Sequence, residues 1–293
     1  MTRLITALAE IAAPYDVLYC DLWGCLHDGR QLYPAAVAAL QDFRARGGAV
    51  VLMTNAPRTK GAVQRRLEKM GLPRNAWDVI TASGDATQEA MMMGVAGRKL
   101  WHLGPGKDDD LFDEIPEALA GQNPITRVPL NQAEGIICTG PFDEFNDRPE
   151  DYRPQFLAAK TRGLKMLNAN PDLVVDHGET RIICAGTLAQ LYEEMGGEVL
   201  SFGKPHPPIY DLARRKLGEI GITYHNDHVL AVGDGIDTDI KGAQLEGIDA
   251  LFITGGLETA RFGQDPENPD ETALKDWLAG TGRTPQYAIG RLC

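Results

Sequence analysis

Short β-rich runs alternate with helix-length segments along most of this chain, and that alternation leaves few folds open to it. DVLYCD (16–21) is apolar up to its final acid, and PAAVAALQDFRARG (34–47) follows with a proline start, helical spacing of apolar residues and a glycine stop. GAVVLMTN (48–55), the basic-faced RTKGAVQRRLEKMG (58–71), WDVITA (77–82) and SGDATQEAMMMG (83–94) repeat the pattern of strand then helix. Such alternation predicts an α/β fold around a parallel sheet. The methionine run of the last helix reads as core filler. The N-terminal MTRLITALAEIAAPYD reads as an amphipathic helix.

The texture changes after residue 94. RKLWHLG (98–104) and AEGIICTG (133–140) read as strands and DYRPQFLAAKTRG (151–163) as a helix, while 164–172 and 179–186 bracket a hairpin or strand pair. Regular alternation resumes at TLAQLYEEMGG (187–197), with EVLSFG expected as a strand of the main sheet, then DHVLAVGD (227–234) and IDALFITGG. The expected division is a core of residues 1–86 and 187–293 with a smaller α/β domain, 87–186, inserted between.

The net charge of −12 argues against a nucleic-acid partner, and an anionic substrate needs a focused site to overcome the overall field. No run of eighteen apolar residues suggests a membrane span, and the acid-bearing N-terminus lacks the pattern of a signal peptide. Five cysteines with no CxxC or Cys/His cluster fit reduced thiols in a cytoplasmic protein.

Four candidate positions follow apolar runs: Asp21, Thr54-Asn55, Lys204-Pro205 and Asp234. In open α/β sheets the carboxyl ends of the strands are where ligands bind. Asp21 and Asp234 could hold Mg2+, an ion that takes a few carboxylates, water and phosphate oxygens. Thr54, the N–H of Asn55 and Lys204 could hold phosphoryl oxygens, and Asp21 could attack phosphorus to form an aspartyl-phosphate.

Together these residues resemble the haloacid dehalogenase (HAD) superfamily, and within it the class IIA, NagD-like and p-nitrophenylphosphatase-like phosphatases. Asp21-Leu22-Trp23-Gly24 followed by Asp28 is similar to the first motif, DxDG with a later acid. VLMTN matches the second, Gly203-Lys204-Pro205 the third, and Gly233-Asp234 with Thr238-Asp239 the fourth, GDxxxTD. Asn170-Pro171-Asp172 matches the NPD turn of the cap that this class inserts. The resemblance implies a Rossmann-like core with a C2-type α/β cap and Mg2+-dependent hydrolysis of a small phosphorylated metabolite, such as a sugar phosphate or pyridoxal phosphate. It implies Asp21 as nucleophile and metal ligand, the main-chain oxygen of Trp23 and Asp234 as further ligands, and Asp239 orienting groups beside them. It also implies Thr54, Asn55 and Lys204 at the phosphate. Asn170, Asp172 and the turn at Ala185-Gly186 are cap candidates for substrate contact. Many capped members are dimers, which leaves a homodimer open.

Trp23 departs from the pattern. The family has there an aspartate that protonates the leaving alcohol and later activates water; indole offers one non-acidic N–H and no basic site. Three readings follow: His27, or Asp28, supplies the proton; the substrate has a good leaving group; or the protein is a catalytically weak binder of a phosphorylated ligand.

Overall fold

DVLYCD folds as the strand Val17–Cys20, buried at every residue, and the equally apolar Ala49–Thr54 and Val229–Gly233 flank it in parallel. Strands buried on both faces read as continuous hydrophobic runs, which is why these three show no alternation. The protein is described by a computed structural model covering residues 2–120, 124–177 and 180–293; 121–123 and 178–179, at the edge of the expected hairpin, lie outside the described residues. The described chain divides into two units, 1–54 with 64–81 and 210–293, and 55–63 with 82–209.

The first unit carries the main sheet, in the order Arg3–Leu4, Tyr287–Ile289, Asp249–Ile253, Val229–Gly233, Val17–Cys20, Ala49–Thr54, Val79–Ala82. Cys20 is level with Val232 on one side and Leu52 on the other. Asp21, Thr54 and Asp234 therefore emerge within one residue step of each other at the same sheet edge. The N–H of Asp21 still donates to the Val232 carbonyl at 2.8 Å, so the sheet ladder fixes its backbone.

The N-terminal segment does not form the single helix expected of it. Arg3–Leu4 is a short parallel strand against Tyr287–Ile289, and Leu8–Glu10 is one 3-10 turn. Glu10 accepts from the N–H groups of Thr6 and Ala7 and from the Thr6 hydroxyl, while the N–H groups of Arg3 and Ile5 donate to Gln286 and Ala288. The sheet edge satisfies backbone groups that a longer helix would have paired internally.

The second unit holds a parallel sheet in the order Glu198–Ser201, Lys165–Asn168, Gly135–Cys138, Lys99–Leu103, Thr126–Arg127, with a separate antiparallel hairpin of Val174–His177 and Thr180–Ile183. Its strands alternate. Ile136 and Cys138 face a core with Phe156, Met166 and Tyr192; Ile137 faces another with Leu100, Leu167 and Met91. The methionine run thus fills that core through Met91 and Met92, while Met93 stands exposed. EVLSFG does not join the main sheet as expected: Glu198–Ser201 pairs with Lys165–Asn168 and forms an edge strand of this sheet. Residues 187–209 accordingly group with the inserted segment.

Candidate active site

Asp21 and Asp234 each follow directly on a central strand, and with Cys25 they form a cluster whose ligand atoms all lie within 4.8 Å of one another. Asp21 and Cys25 are buried and Asp234 is half-buried. Two glycines make room for the Asp234 carboxylate. A Cβ on Gly24 would stand 1.9 Å from its Oδ2, and one on Gly256 would stand 2.1 Å away. Gly24 also takes φ +75°, a left-handed conformation that glycine adopts at little cost. The N–H of Leu257 donates to Asp234 Oδ2 at 2.8 Å and aims the side chain.

Beyond Asp234 the chain makes a π-helical turn, Ile236–Ile240, a rare form that recurs frequently at functional sites. It turns Asp239 inward, where its Oδ2 accepts from the N–H of Gly235 at 3.1 Å. Asp239 thus braces the loop that presents Asp234.

The cluster suits a small hard divalent cation. Its carboxylates are the oxygen donors that Mg2+ or Ca2+ selects. Burial, and then the charges of Asp234 and Asp21, push the Cys25 thiol up well above its ordinary range.

The loop after Asp21 is built on its own hydrogen bonds. Leu22 O accepts from the N–H groups of Leu26 and His27, and the N–H of Gly24 donates to His27 O at 2.9 Å. The Trp23 indole meets the His27 ring edge-on at 5.4 Å between centroids, and the Arg66 guanidinium lies over it at 5.2 Å. Arg66 also donates to the Gly29 carbonyl at 3.0 Å.

His27 is 3% exposed, and its Nδ1 accepts from the Gly29 N–H at 3.0 Å. Burial, and secondarily the Arg66 charge, push its pKa down to about 4. The imidazole is therefore neutral near pH 7 and serves as a brace of the loop. The expectation that His27 delivers a proton does not fit this arrangement. Asp28 Oδ1 accepts from the N–H groups of Arg30 and Gln31, both at 2.8 Å, which occupies it as a turn former.

In the second unit, Asn55 is the hub. Its Oδ1 accepts from the Lys204 N–H at 2.7 Å, and its Nδ2 donates to Asp172 Oδ1 at 2.8 Å and to Lys204 O at 3.1 Å. Asn170 Oδ1 accepts from the Asp172 N–H at 3.1 Å. Gly186 N–H donates to Asp172 O at 3.1 Å, which ties the turn to the start of the helix Ala185–Glu194. The NPD turn thus braces Asn55, and Asn55 braces Lys204, itself 3% exposed. Asn170 and Asp172, expected as substrate contacts, spend these polar atoms on scaffolding. Thr54 ends its strand in the first unit as a buried hydroxyl.

Sequence reasoning missed Arg66, which stands out locally only as one of several basic residues on a helix. It also missed the clamp of Asp110 on Arg58 (2.9 Å) and on the Thr59 N–H (2.8 Å), which joins segments far apart in the chain.

Residues 18–115 match the family described as haloacid dehalogenase-like hydrolase, and 201–277 match a second HAD-hydrolase-like family. A haloacid dehalogenase-like hydrolase from Brucella suis 1330 is 34% identical, with TM-score 0.85 over 99% of this chain and 100% of that one. This chain belongs to the haloacid dehalogenase-like hydrolases, in their NagD-like class IIA branch. The D-glycerol 3-phosphate phosphatase of Mycobacterium tuberculosis is 26% identical over 260 residues, 86% of this chain and 67% of its own length. The ribonucleotide monophosphatase NagD of Escherichia coli strain K12 is 24% identical over 242 residues, 82% of this chain and 88% of its own. Among the described residues no helix is long and apolar enough to cross a membrane.

Proposed function

We propose that this protein hydrolyses the phosphoric monoester of a small metabolite, with Asp21 as nucleophile. The observation that carries the reading is the meeting of the Asp21 and Asp234 carboxylates, more than two hundred residues apart in the chain, within 4.8 Å at one sheet edge. Asp21, Asp234 and the main-chain oxygen of Trp23 would hold a divalent cation, Mg2+ by preference. That cation supplies positive charge that offsets repulsion between a carboxylate nucleophile and a phosphate dianion.

The remaining roles belong to the chain. A carboxylate oxygen of Asp21 attacks phosphorus and forms an aspartyl-phosphate. The family motifs assign the Thr54 hydroxyl and, in the other unit, the Lys204 ammonium to phosphoryl oxygens; within their own units Asn55 holds the Lys204 backbone and Asp239 holds the loop of Asp234. The panel includes sugar and polyol phosphates, because the relatives' names point to them, beside phosphates with better leaving groups.

The test is phosphate release from a metabolite panel with Mg2+, by the native protein and by Asp21→Asn. Release that vanishes in the variant supports the reading; equal release from both refutes it. Trp23 favours a second reading, a binder with negligible turnover. That reading predicts metabolite-dependent thermal stabilisation without phosphate release.

A further inference from the structure

The hydrogen bonding of the loop after Asp21 narrows the substrate class. Resting on the proposed function, we infer that this protein acts on phosphates whose leaving group departs unprotonated: the carboxylate of an acyl phosphate or the phenolate of an aryl phosphate. Position 23 carries an indole, whose N–H is no acid at working pH. The indole is fixed between the His27 edge and the Arg66 guanidinium, so its place is a built feature and not a loose side chain.

The loop's other proton carriers are held by the loop's own contacts. His27 is closed off from solvent, with Nδ1 taken by the Gly29 N–H and its ring against Trp23. Asp28 uses Oδ1 on two backbone N–H groups. Cys25 lies buried within the carboxylate cluster.

The first step then runs as follows. An Asp21 oxygen bonds to phosphorus, the bond from phosphorus to the leaving oxygen breaks, and that oxygen leaves with the electron pair and no proton. In the second step water bonds to phosphorus and the Asp21–phosphorus bond breaks. Asp21 is restored as carboxylate, one water proton stays on the inorganic phosphate and the other passes to solvent. An alkoxide is too basic to leave this way at a useful rate, whereas a carboxylate or phenolate is not. General acid catalysis is typically worth ~10²–10⁴-fold, so alkyl phosphates should lag by about that factor.

The experiment is kcat/KM with Mg2+ for acetyl, 4-nitrophenyl, phenyl and glycerol phosphates, using the native protein and Trp23→Asp. The expected result is a steep fall along that order, with glycerol phosphate at least ~10²-fold below 4-nitrophenyl phosphate. Trp23→Asp should raise glycerol phosphate turnover by a similar factor and change acetyl phosphate little. Should Trp23→Asp fail to fold, the native series decides alone. Glycerol phosphate turned over within about tenfold of 4-nitrophenyl phosphate overturns the inference and leaves the phosphatase reading standing. No release from any of the four, acetyl phosphate included, overturns both.

Discussion

Replacing Asp234 by asparagine should stabilise the metal-free protein and destabilise its response to Mg2+, so that the variant and the parent exchange order. The carboxylate oxygens of Asp21 and Asp234 come within 4.8 Å. Two unit charges at that separation repel by about 3 kcal/mol at an effective dielectric of ~20. Asp234 is half-buried, so solvent screens part of this, and about 1–2 kcal/mol is a reasonable relief. Asparagine keeps an oxygen to accept from the Leu257 N–H and occupies nearly the same volume in the space left by Gly24 and Gly256. For a chain of this size the relief raises the apparent Tm by roughly 2–8 °C in EDTA.

With Mg2+ at a hundredfold excess over Kd, the native protein gains about 2.7 kcal/mol by mass action, and the variant gains little. Differential scanning fluorimetry in EDTA and then in Mg2+ reads both effects in one experiment. A variant that melts below the native protein in EDTA would show that the acids are not in conflict. A native protein unmoved by Mg2+ would show that they are not a cation site. Either result refutes the reasoning.

Gly24→Ala should cost the Mg2+ response more than the fold, because its Cβ would fall 1.9 Å from Asp234 Oδ2; the same melts in EDTA and Mg2+ check it. Asn55→Ala should destabilise by about 2–4 kcal/mol in urea unfolding, since it removes three hydrogen bonds and leaves the buried N–H of Lys204 without its acceptor. His27 sits below its ordinary pKa, at about 4, so stability is full above about 6.5 and falls as pH drops through that window. The unfolded chain binds the proton first there, at about 1.4 kcal/mol per pH unit, and His27→Gln should flatten the slope in denaturant melts between pH 6.5 and 4.

Much of the main sheet could be read directly, because its central strands are unbroken apolar runs that end on polar residues. Asp21, Thr54 and Asp234 were visible for that reason. EVLSFG misled because a short strand with partly exposed residues carries no mark of which sheet it joins; only its pairing with Lys165–Asn168 decides. The N-terminal segment has a helical pattern of apolar residues, yet Arg3 and Ile5 pair with the chain's far end, a contact that local spacing cannot announce. The same limit hid the tie of Asn55 to Asp172 and Lys204, which gives the NPD turn a bracing role that its sequence does not show. His27 looked available for proton transfer because its ordinary pKa suits the task; burial and the Gly29 N–H, neither legible locally, remove it.

The level alignment of Cys20 with Val232 and Leu52 bears on how this gene can vary in length. A codon gained or lost inside any of the three central strands would rotate the acid or hydroxyl at its tip to the opposite side, where no partner waits. Length changes in descendants of this sequence should therefore gather away from those three segments, and their spacing relative to one another along the polypeptide should drift freely while each one's internal count stays constant.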